Sequence, residues 1–339
     1  MDDWTDDDLL IPHRHSGRAI MRVGVQAQLY FPAGHERRVR LAAIDALGAY
    51  AELAGGHLRR IRSGDGSRDY ELGAGDFLGI ERRAAEGARS DEVFGLSLID
   101  ELELHRWHAT AQLIGEGAKE WLSYFYSAVP PSFIKGDPDR YVEAVAGLAS
   151  ILRPDYGSAG FALIGEIGME LQRPHESWAM LSRFSGLDFF GAFNLKAKPR
   201  AIQSVNWLTI LGGDALRALG GREVLEARLR AAWAALSDET REERRPLDDL
   251  LYEYDGGVIV RAGRLPQMGD RLASGAPEAF IAAYEALSPI VFRGYGGRVS
   301  ELIKLPPGLD RREETLGWIT RFEREGASMR EPAREGDLE

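Results

Sequence analysis

The sequence contains no cysteine among its 339 residues. This absence excludes disulfide bonds, thiolate metal sites and cysteine nucleophiles, and it is typical of proteins in a reducing compartment. Five of the first eight residues are aspartates, so the chain does not open with the basic and then apolar segments of a secretory signal. We therefore expect a cytoplasmic protein.

Long apolar runs are missing as well. The apolar stretch at residues 161–171 already contains Glu166 and Glu170, whereas a membrane-spanning helix needs about 20 predominantly apolar residues. The sequence therefore predicts no membrane partner.

Clustered positive charge is the third feature that the chain lacks. Its 42 basic side chains are outnumbered by 53 acidic ones, which gives a net charge of −11, and basic residues alternate with acids, as in residues 238–245. Phosphate contacts need basic patches, so we expect no direct binding of nucleic acid. An acidic surface instead suits a basic protein partner, because complementary charge speeds encounter.

Signatures of catalysis and of cofactor binding are absent from the sequence. Residues 115–119 have neither the spacing nor the hydroxyl of a phosphate-binding loop, and Gly73, Gly75 and Gly79 have the wrong spacing for a dinucleotide fingerprint. No Gly-x-Ser-x-Gly segment marks a serine nucleophile. The sequence therefore predicts a protein that is not an enzyme and has no cofactor.

The seven histidines show no zinc-ligand spacing. His105 and His108 fall on one predicted strand, where residues three apart face opposite sides. We therefore expect them not to share a metal ion, and we expect His108 to face solvent. His13 and His15 lack the third and fourth ligands that fix zinc, so the sequence predicts no metal site.

Two acidic pairs have both a chemical and a structural interpretation. Glu166 and Glu170 could be paired catalytic carboxylates, but their spacing is equally that of an exposed strand face. Asp137 and Asp139 flank a proline and could hold a metal ion, yet an aspartate ahead of a helix is typical of turns and N-caps. We favour the structural interpretation of both pairs.

Apolar periodicity divides the chain into elements. Residues 23–31 alternate between apolar and polar, which predicts a half-buried strand, and apolar residues then recur every three to four positions from Arg37 until Gly55, which predicts a helix. The strand-turn-helix unit recurs at residues 121–152. It recurs again at the hairpin 252–260 and the helix that starts at Pro277.

The remaining elements set the fold class. Further strands are predicted at residues 93–99, 107–113 and 161–171, and further helices at residues 215–236 and 309–325. Runs of strands without regular β-α-β alternation indicate an α+β protein with mixed, largely antiparallel sheets, packed helices and pseudo-duplicated strand-turn-helix units.

The domain boundaries follow from where the periodicity begins and ends. Residues 1–17 form a predicted flexible acidic tail, residues 18–326 a single α+β domain, and residues 327–339 a flexible C-terminal tail. An alternative division of the domain has two lobes, at about 18–160 and 161–326.

Three segments are the most distinctive part of the sequence: Asn206-Trp207-Leu208-Thr209, Leu219-Gly220-Gly221 and Gly263-x-x-Pro266-x-x-Gly269-Asp270. Together with the strand ending at residues 126–131, they resemble the type VI secretion immunity family, first catalogued as a bacterial domain of unknown function. The resemblance covers roughly residues 20–295, so residues 311–339 and the acidic tail fall outside it.

The resemblance implies an α+β protein that binds and neutralises a cognate type VI secretion effector toxin by stoichiometric inhibition. Toxins of the family include nucleases, so one expected partner is a nuclease with a basic cleft. The resemblance carries over no toxin-contact residue. We assign its motif residues to the shared scaffold: Asn206, Trp207, Leu208, Thr209, Gly220, Gly221, Pro266, Gly269 and Asp270.

The acidic tail is a separate hypothesis. Its aspartates are candidates for steering the chain towards a basic partner: Asp2, Asp3, Asp6, Asp7 and Asp8. The alternative is a solubilising extension. For the whole chain, the competing functions are an uncharacterised hydrolase or toxin-modifying enzyme, and a structural or adaptor subunit of the secretion machinery.

Overall fold

A long strand near the start of the chain organises the fold. In the computed structural model, β2 (Ala19–Phe31) pairs with β7 (Ser123–Val129) along one edge and with β8 (Tyr156–Gly165) along the other. Residues 21–31 of this strand are all buried. The structure describes residues 9–72, 77–100, 104–165, 174–189, 200–236, 249–294 and 305–323.

The polar face of β2 is buried, contrary to the half-buried strand that its alternation predicted. Gln28 donates through Nε2 to Gln26 Oε1 at 2.9 Å, and its own Oε1 accepts from the Tyr30 hydroxyl at 2.6 Å. Hydrogen bonds between neighbouring side chains offset the loss of water, so polar residues occupy a central strand without an exposed face.

The described strands form one sheet of twelve. The other strands are β1 (Leu10–Pro12), β3 (Arg60–Ser63), β4 (Asp69–Glu71), β5 (Phe94–Ile99), β6 (His108–Leu113), β9 (Asp188–Phe189), β10 (Leu208–Gly212), β11 (Leu251–Tyr254) and β12 (Gly257–Arg261). Their order is β11-β12-β10-β8-β2-β7-β6-β5-β3-β4, with β1 beside β2 and β9 beside β8. The strands pair antiparallel except β8 with β9, which confirms the predicted mixed, largely antiparallel α+β fold.

Nine α-helices lie within the described ranges. They are α1 (Arg37–Leu53), α2 (Phe77–Gly87), α3 (Pro131–Gly136), α4 (Pro138–Leu152), α5 (Pro174–Arg183), α6 (Gly213–Leu219), α7 (Arg222–Ala234), α8 (Glu278–Leu287) and α9 (Arg311–Ile319). Helix α1 packs against α2 and α4, and α7 packs against α8. None of these helices combines the length and the apolar composition that crossing a bilayer requires.

Helix boundaries follow local chemistry. The side chain of Asp137 accepts a hydrogen bond from the backbone NH of Arg140, so the predicted N-cap of α4 is confirmed. The predicted helix at 215–236 is wrong as one element. Gly220 and Gly221 have φ angles of 105° and 93°, a region that favours glycine, and they separate α6 from α7.

The N-terminal segment differs from the predicted tail. Strand β1 lies within residues 1–17 and pairs with β2, and Leu9 and Ile11 are buried. The apolar alternation there is too short to stand out from the charged sequence around it. Other predicted features lie outside the described residues: Asp2, Asp3, Asp6, Asp7, Asp8, Glu166, Glu170, residues 238–245 and residues 327–339.

The alternative division into two lobes would cut the sheet at β8. Its boundary at residue 160 lies within this strand, which pairs with β2 on one side and with β10 on the other. One continuous sheet therefore crosses the boundary.

A buried arginine ties the loop before α1 to the segment after α2. Arg40 is 1% exposed, and its guanidinium donates to the backbone carbonyl oxygens of Gly34, Ala88, Arg89 and Glu92 at 2.8 to 3.2 Å. These carbonyls belong to irregular segments, where no sheet or helix partner can satisfy them. One side chain thus supplies donors to four carbonyls, of which that of Arg89 also accepts the backbone NH of Glu92 at 3.2 Å.

We expect Arg40→Met to lower the free energy of unfolding by roughly 3 kcal/mol, because several buried carbonyls lose a charged donor at once. Urea unfolding monitored by circular dichroism measures this change. Arg38→Met on the same helix is the control. The Arg38 side chain is 79% exposed, so its replacement should change the value by less than about 0.5 kcal/mol. Equal losses of unfolding free energy in the two variants would show that the carbonyl contacts of Arg40 do not stabilise the fold.

Candidate functional site

The ends of four neighbouring strands surround a cleft of about 520 Å³. β3, β5, β6 and β7 are adjacent and antiparallel, so the C-terminal ends of β5 and β7 lie beside the N-terminal ends of β3 and β6. The segments that leave these strand ends form its walls. Its main lining side chains are those of His57, Arg59, Asp100, Arg106, Trp107 and Phe133.

One wall of the cleft is a row of rings. The His57 ring stacks on the Trp107 indole, with centroids 4.9 Å apart and planes 4° apart. The Phe133 ring meets the same indole edge-on at 5.3 Å, and the Arg140 guanidinium lies 5.2 Å from the Phe133 ring centroid. Trp107 is only 7% exposed, and its contacts with the His57 and Phe133 rings hold the indole in position.

A carboxylate closes the inner end of the cleft. Asp100 Oδ2 accepts hydrogen bonds from the backbone NH groups of Arg106 and Trp107 at 3.1 and 3.0 Å, and its Oδ1 lies 3.7 Å from His105 Nδ1. Burial opposes ionisation of Asp100, but the neighbouring His105 ring and the two backbone donors outweigh it and lower the pKa of the carboxyl. The charged carboxylate therefore fixes the turn that carries Trp107.

Two buried histidines lie behind Asp100. His105 and His108 are 1% and 2% exposed, and their ring centroids are 5.6 Å apart. The predictions that they face opposite sides and that His108 faces solvent are both wrong. His105 precedes β6 rather than lying on it, so strand alternation does not apply, and the His108 ring packs against Tyr126 at 5.2 Å.

The electrostatics favour a neutral ring for His108. Burial and the neighbouring His105 lower the pKa of His108 to about 3, against a smaller opposing effect of Asp100. Within the described ranges, no three His, Cys, Asp or Glu side chains group as metal ligands would. The two rings therefore form a packed support for the cleft.

The tryptophan of the scaffold motif lies in the core. Trp207 is fully buried, stacks with the Tyr141 ring at 6.0 Å and donates its indole NH to the carbonyl of Gly263 at 3.0 Å. The Arg261 guanidinium lies 5.5 Å from its ring centroid. Leu208 and Thr209, which follow it, are buried at the start of β10.

Asn206 connects this core to β9. Its side-chain amide donates to Asp188 Oδ2 at 3.2 Å, and its side-chain oxygen accepts from the backbone NH of Trp207 at 2.7 Å. A Cβ at position 160 would lie 2.2 Å from Asn206 Oδ1, so a larger residue there would displace the Asn206 side chain. The Asn206 side chain therefore fills the space that Gly160 leaves beside it.

The second glycine motif forms a loop that docks on the end of α5. Gly269 accepts from the backbone NH of Ser185 at 3.0 Å, and Asp270 pairs with Arg183 at 2.8 Å. Gly269 has a φ angle of 63°, and Pro266 is buried. None of the nine scaffold-motif residues lines the cleft.

Sequence reasoning missed the lining residues of the cleft as a group. His57 and Asp100 come from two separate connections and Phe133 from α3, and the pairing of the strands brings them together. The available signal was that aromatic and arginine residues stand next to the ends of several predicted strands.

We expect Trp207→Ala to lower the free energy of unfolding by about 3 to 5 kcal/mol, since it leaves a cavity in the core. Trp207→Phe is the control, because it retains a ring and should cost less. Circular dichroism and thermal melting measure both variants. A Trp207→Ala protein that melts like the wild type would show that the residue is not part of the core.

We also expect acid to destabilise the protein through His108. Its pKa is about 3 in the folded chain and about 6.5 in the unfolded chain. Between these values the unfolded state binds more protons, so stability falls as the pH falls, by up to about 1.4 kcal/mol per pH unit. His108→Gln should remove this dependence.

Urea unfolding of both proteins from about pH 7.5 to about pH 4 measures the effect. The quantity compared is the free energy of unfolding of the wild type minus that of His108→Gln at each pH. Burial and Asp214 raise the pKa of Asp155 to about 6, which contributes a slope of opposite sign to both proteins. Parallel curves for the two proteins would contradict the prediction.

Comparison with known proteins gives a family for this chain and a solved structure of similar fold. The sequence matches a family model described as TsiV, type VI immunity for VRR-NUC, over residues 42–322. None of the curated proteins compared with the chain matches it. Among solved structures, the Pseudomonas aeruginosa T6SS protein PA0821 has a similar fold, with a TM-score of 0.75 and 20% sequence identity over 94% of this chain and 88% of that chain.

The match confirms the resemblance that the distinctive segments predicted. It also corrects its extent, because the matched region reaches residue 322 and includes α9, which the sequence-based range of 20–295 left out. Helix α9 belongs to the folded domain, as the full burial of Trp318 and Phe322 requires. The chain belongs to the TsiV family of type VI secretion immunity proteins.

Proposed function

We propose that this immunity protein acts by binding a VRR-NUC nuclease effector directly, in a stoichiometric complex that holds the nuclease inactive without any catalytic step. The observation that carries the proposal is the family match over residues 42–322. That range contains the whole cleft and most of the sheet. The family is one of immunity against VRR-NUC nucleases.

The construction of the fold supports inhibition by a preformed surface. Loops that would otherwise be mobile are fixed by buried side chains, as Arg40 fixes the segments before α1 and after α2. A rigid surface loses little conformational entropy on association, so more of the contact energy appears as affinity. An inhibitor of this kind needs complementarity and no reacting group.

The partner and the compartment follow from the same proposal. A nuclease that binds DNA needs a cationic surface, and the net charge of −11 on this chain favours encounter with it. The aspartate-rich residues 1–8 are a proposed contributor to that steering. Because the DNA of the cell is cytoplasmic, the inhibitor must meet the nuclease there, and a chain without cysteine suits that compartment.

A titration distinguishes inhibition from enzymatic modification. We expect nuclease activity on a DNA substrate to fall linearly with added protein and to reach zero at about one chain per nuclease, as tight binding requires. An enzyme that modifies the toxin would protect far below that ratio, and protection would increase with time.

The control for the titration is the heat-unfolded chain, which should not protect. Residual activity that persists at a large excess of folded protein would contradict direct inhibition. An adaptor role would instead appear as binding to a subunit of the secretion machinery when no nuclease is present.

A further inference from the structure

We propose that the cleft between the ends of β3, β5, β6 and β7 is where the nuclease docks, and that it takes an acidic protruding segment of that protein. This inference rests on the proposed function, because it names the surface through which the inhibition would operate. A concave site requires a convex occupant, so the segment that enters it is a loop or a chain end of the nuclease rather than its own DNA-binding groove.

The composition of the cleft is that of a protein interface. Binding hot spots are enriched in Trp, Tyr and Arg, and interface cores are enriched in aromatic residues. The cleft presents the rings of His57, Trp107 and Phe133 together with the guanidinium groups of Arg59 and Arg106. At about 520 Å³ it can hold several side chains of a partner.

The charges of the described lining residues favour a carboxylate-bearing occupant. Arg59 is exposed, and its Nη1 donates to the carbonyl of Gly56 at 2.8 Å, which holds the guanidinium at the rim. The negative charge of Asp100 is directed into the protein, towards two backbone NH groups and His105. The described lining has two guanidinium groups, those of Arg59 and Arg106, against the one carboxylate of Asp100, an excess of positive charge in a chain with a net charge of −11.

The walls of the cleft are fixed before any partner arrives. Trp107 is held between His57 and Phe133, and its backbone NH is bound by Asp100. Beside Asp100, the rings of His105 and His108 are buried and contact each other. Preformed aromatic pockets of this kind receive an anchor side chain at low entropic cost.

The connection between β5 and β6 also contains Glu101 and Glu103, which lie outside the described residues. The experiment therefore has to decide the sign of the partner charge, and not only the position of the interface. Reversing one cationic side chain at the rim does both, because an acidic occupant is repelled by the new charge and a basic occupant is attracted.

The test measures binding of the full chain to its cognate VRR-NUC nuclease, inactivated by substitution in its own active site, on a biosensor surface. Arg59→Glu should weaken the complex on the order of tenfold to a hundredfold. His57→Ala, which uncovers one face of Trp107 without changing an arginine, should weaken it several-fold. Both residues are exposed, so neither variant should change the melting temperature by more than about 2 °C.

The matched control is Arg38→Glu. It makes the same change of charge on an exposed side chain, near the start of α1, whereas the cleft lies beyond the other end of that helix. It should alter the dissociation constant less than about twofold.

Each result has one meaning. Equal affinities for wild type, Arg59→Glu and Arg38→Glu would place the interface elsewhere and overturn this inference, while the proposed inhibition would stand. Tighter binding by Arg59→Glu would show that the cleft takes a basic segment and would overturn the assigned charge. Absence of binding by the wild-type chain would overturn the proposed function itself.

Discussion

Buried arginines that bind backbone carbonyls hold the irregular parts of this fold on its sheet. Arg261, fully buried, donates to the carbonyls of Gly263 and Arg264 at 3.1 and 2.6 Å, and Arg321 donates to the carbonyl of Ser185 at 2.6 Å. Burial lowers the pKa of Arg321 to about 9, so the group is still charged at neutral pH. A guanidinium offers five donors in a fixed plane, which suits a loop whose carbonyls have no strand to pair with. The same groups lie against core tryptophans, Arg261 at 5.5 Å from the Trp207 ring centroid and Arg321 at 3.8 Å from that of Trp318.

The regular elements were predictable where apolar periodicity alone determines them. Helices α1 and α4 and the hairpin of β11 and β12 follow the predicted ranges closely. Helix α2 was missed because its buried face carries a carboxylate: Glu81 is fully buried and accepts from the Tyr70 hydroxyl at 2.8 Å and from Arg68 at 3.1 Å. Because a carboxylate on a helix is normally exposed, apolar periodicity alone predicts a solvent-exposed face there. Strands β3 and β4 were missed for the same reason, since ion pairs take the place of apolar alternation between them.

The candidate site was less predictable than the fold, because the order of the strands in the sheet decides which residues line it. Nothing in the sequence states that β3 lies beside β5 rather than beside β2, yet this order brings Arg59 and Asp100 to one cleft. The family, in contrast, was recognisable from local segments such as Asn206-Trp207, whose residues lie in the core and at its connections. Core segments carry family membership because packing constrains them. Interaction surfaces carry the specificity for one partner, and their residues therefore leave no signature in a single sequence.

The position of β2 in the chain has a consequence for synthesis. This strand ends at Phe31, and apart from the short β1, which pairs with its first residues, its partners begin only at Ser123 and Tyr156. At about 5 to 20 residues per second, a ribosome needs on the order of ten seconds to complete both partners after β2 has been made. During that interval the residues of β2 beyond its pairing with β1 lack the partners of the folded state, and unpaired strand edges are templates for association with other chains. The strand at the centre of the folded sheet is therefore the part of the newborn chain that stays open to mispairing for longest, until β8 has emerged.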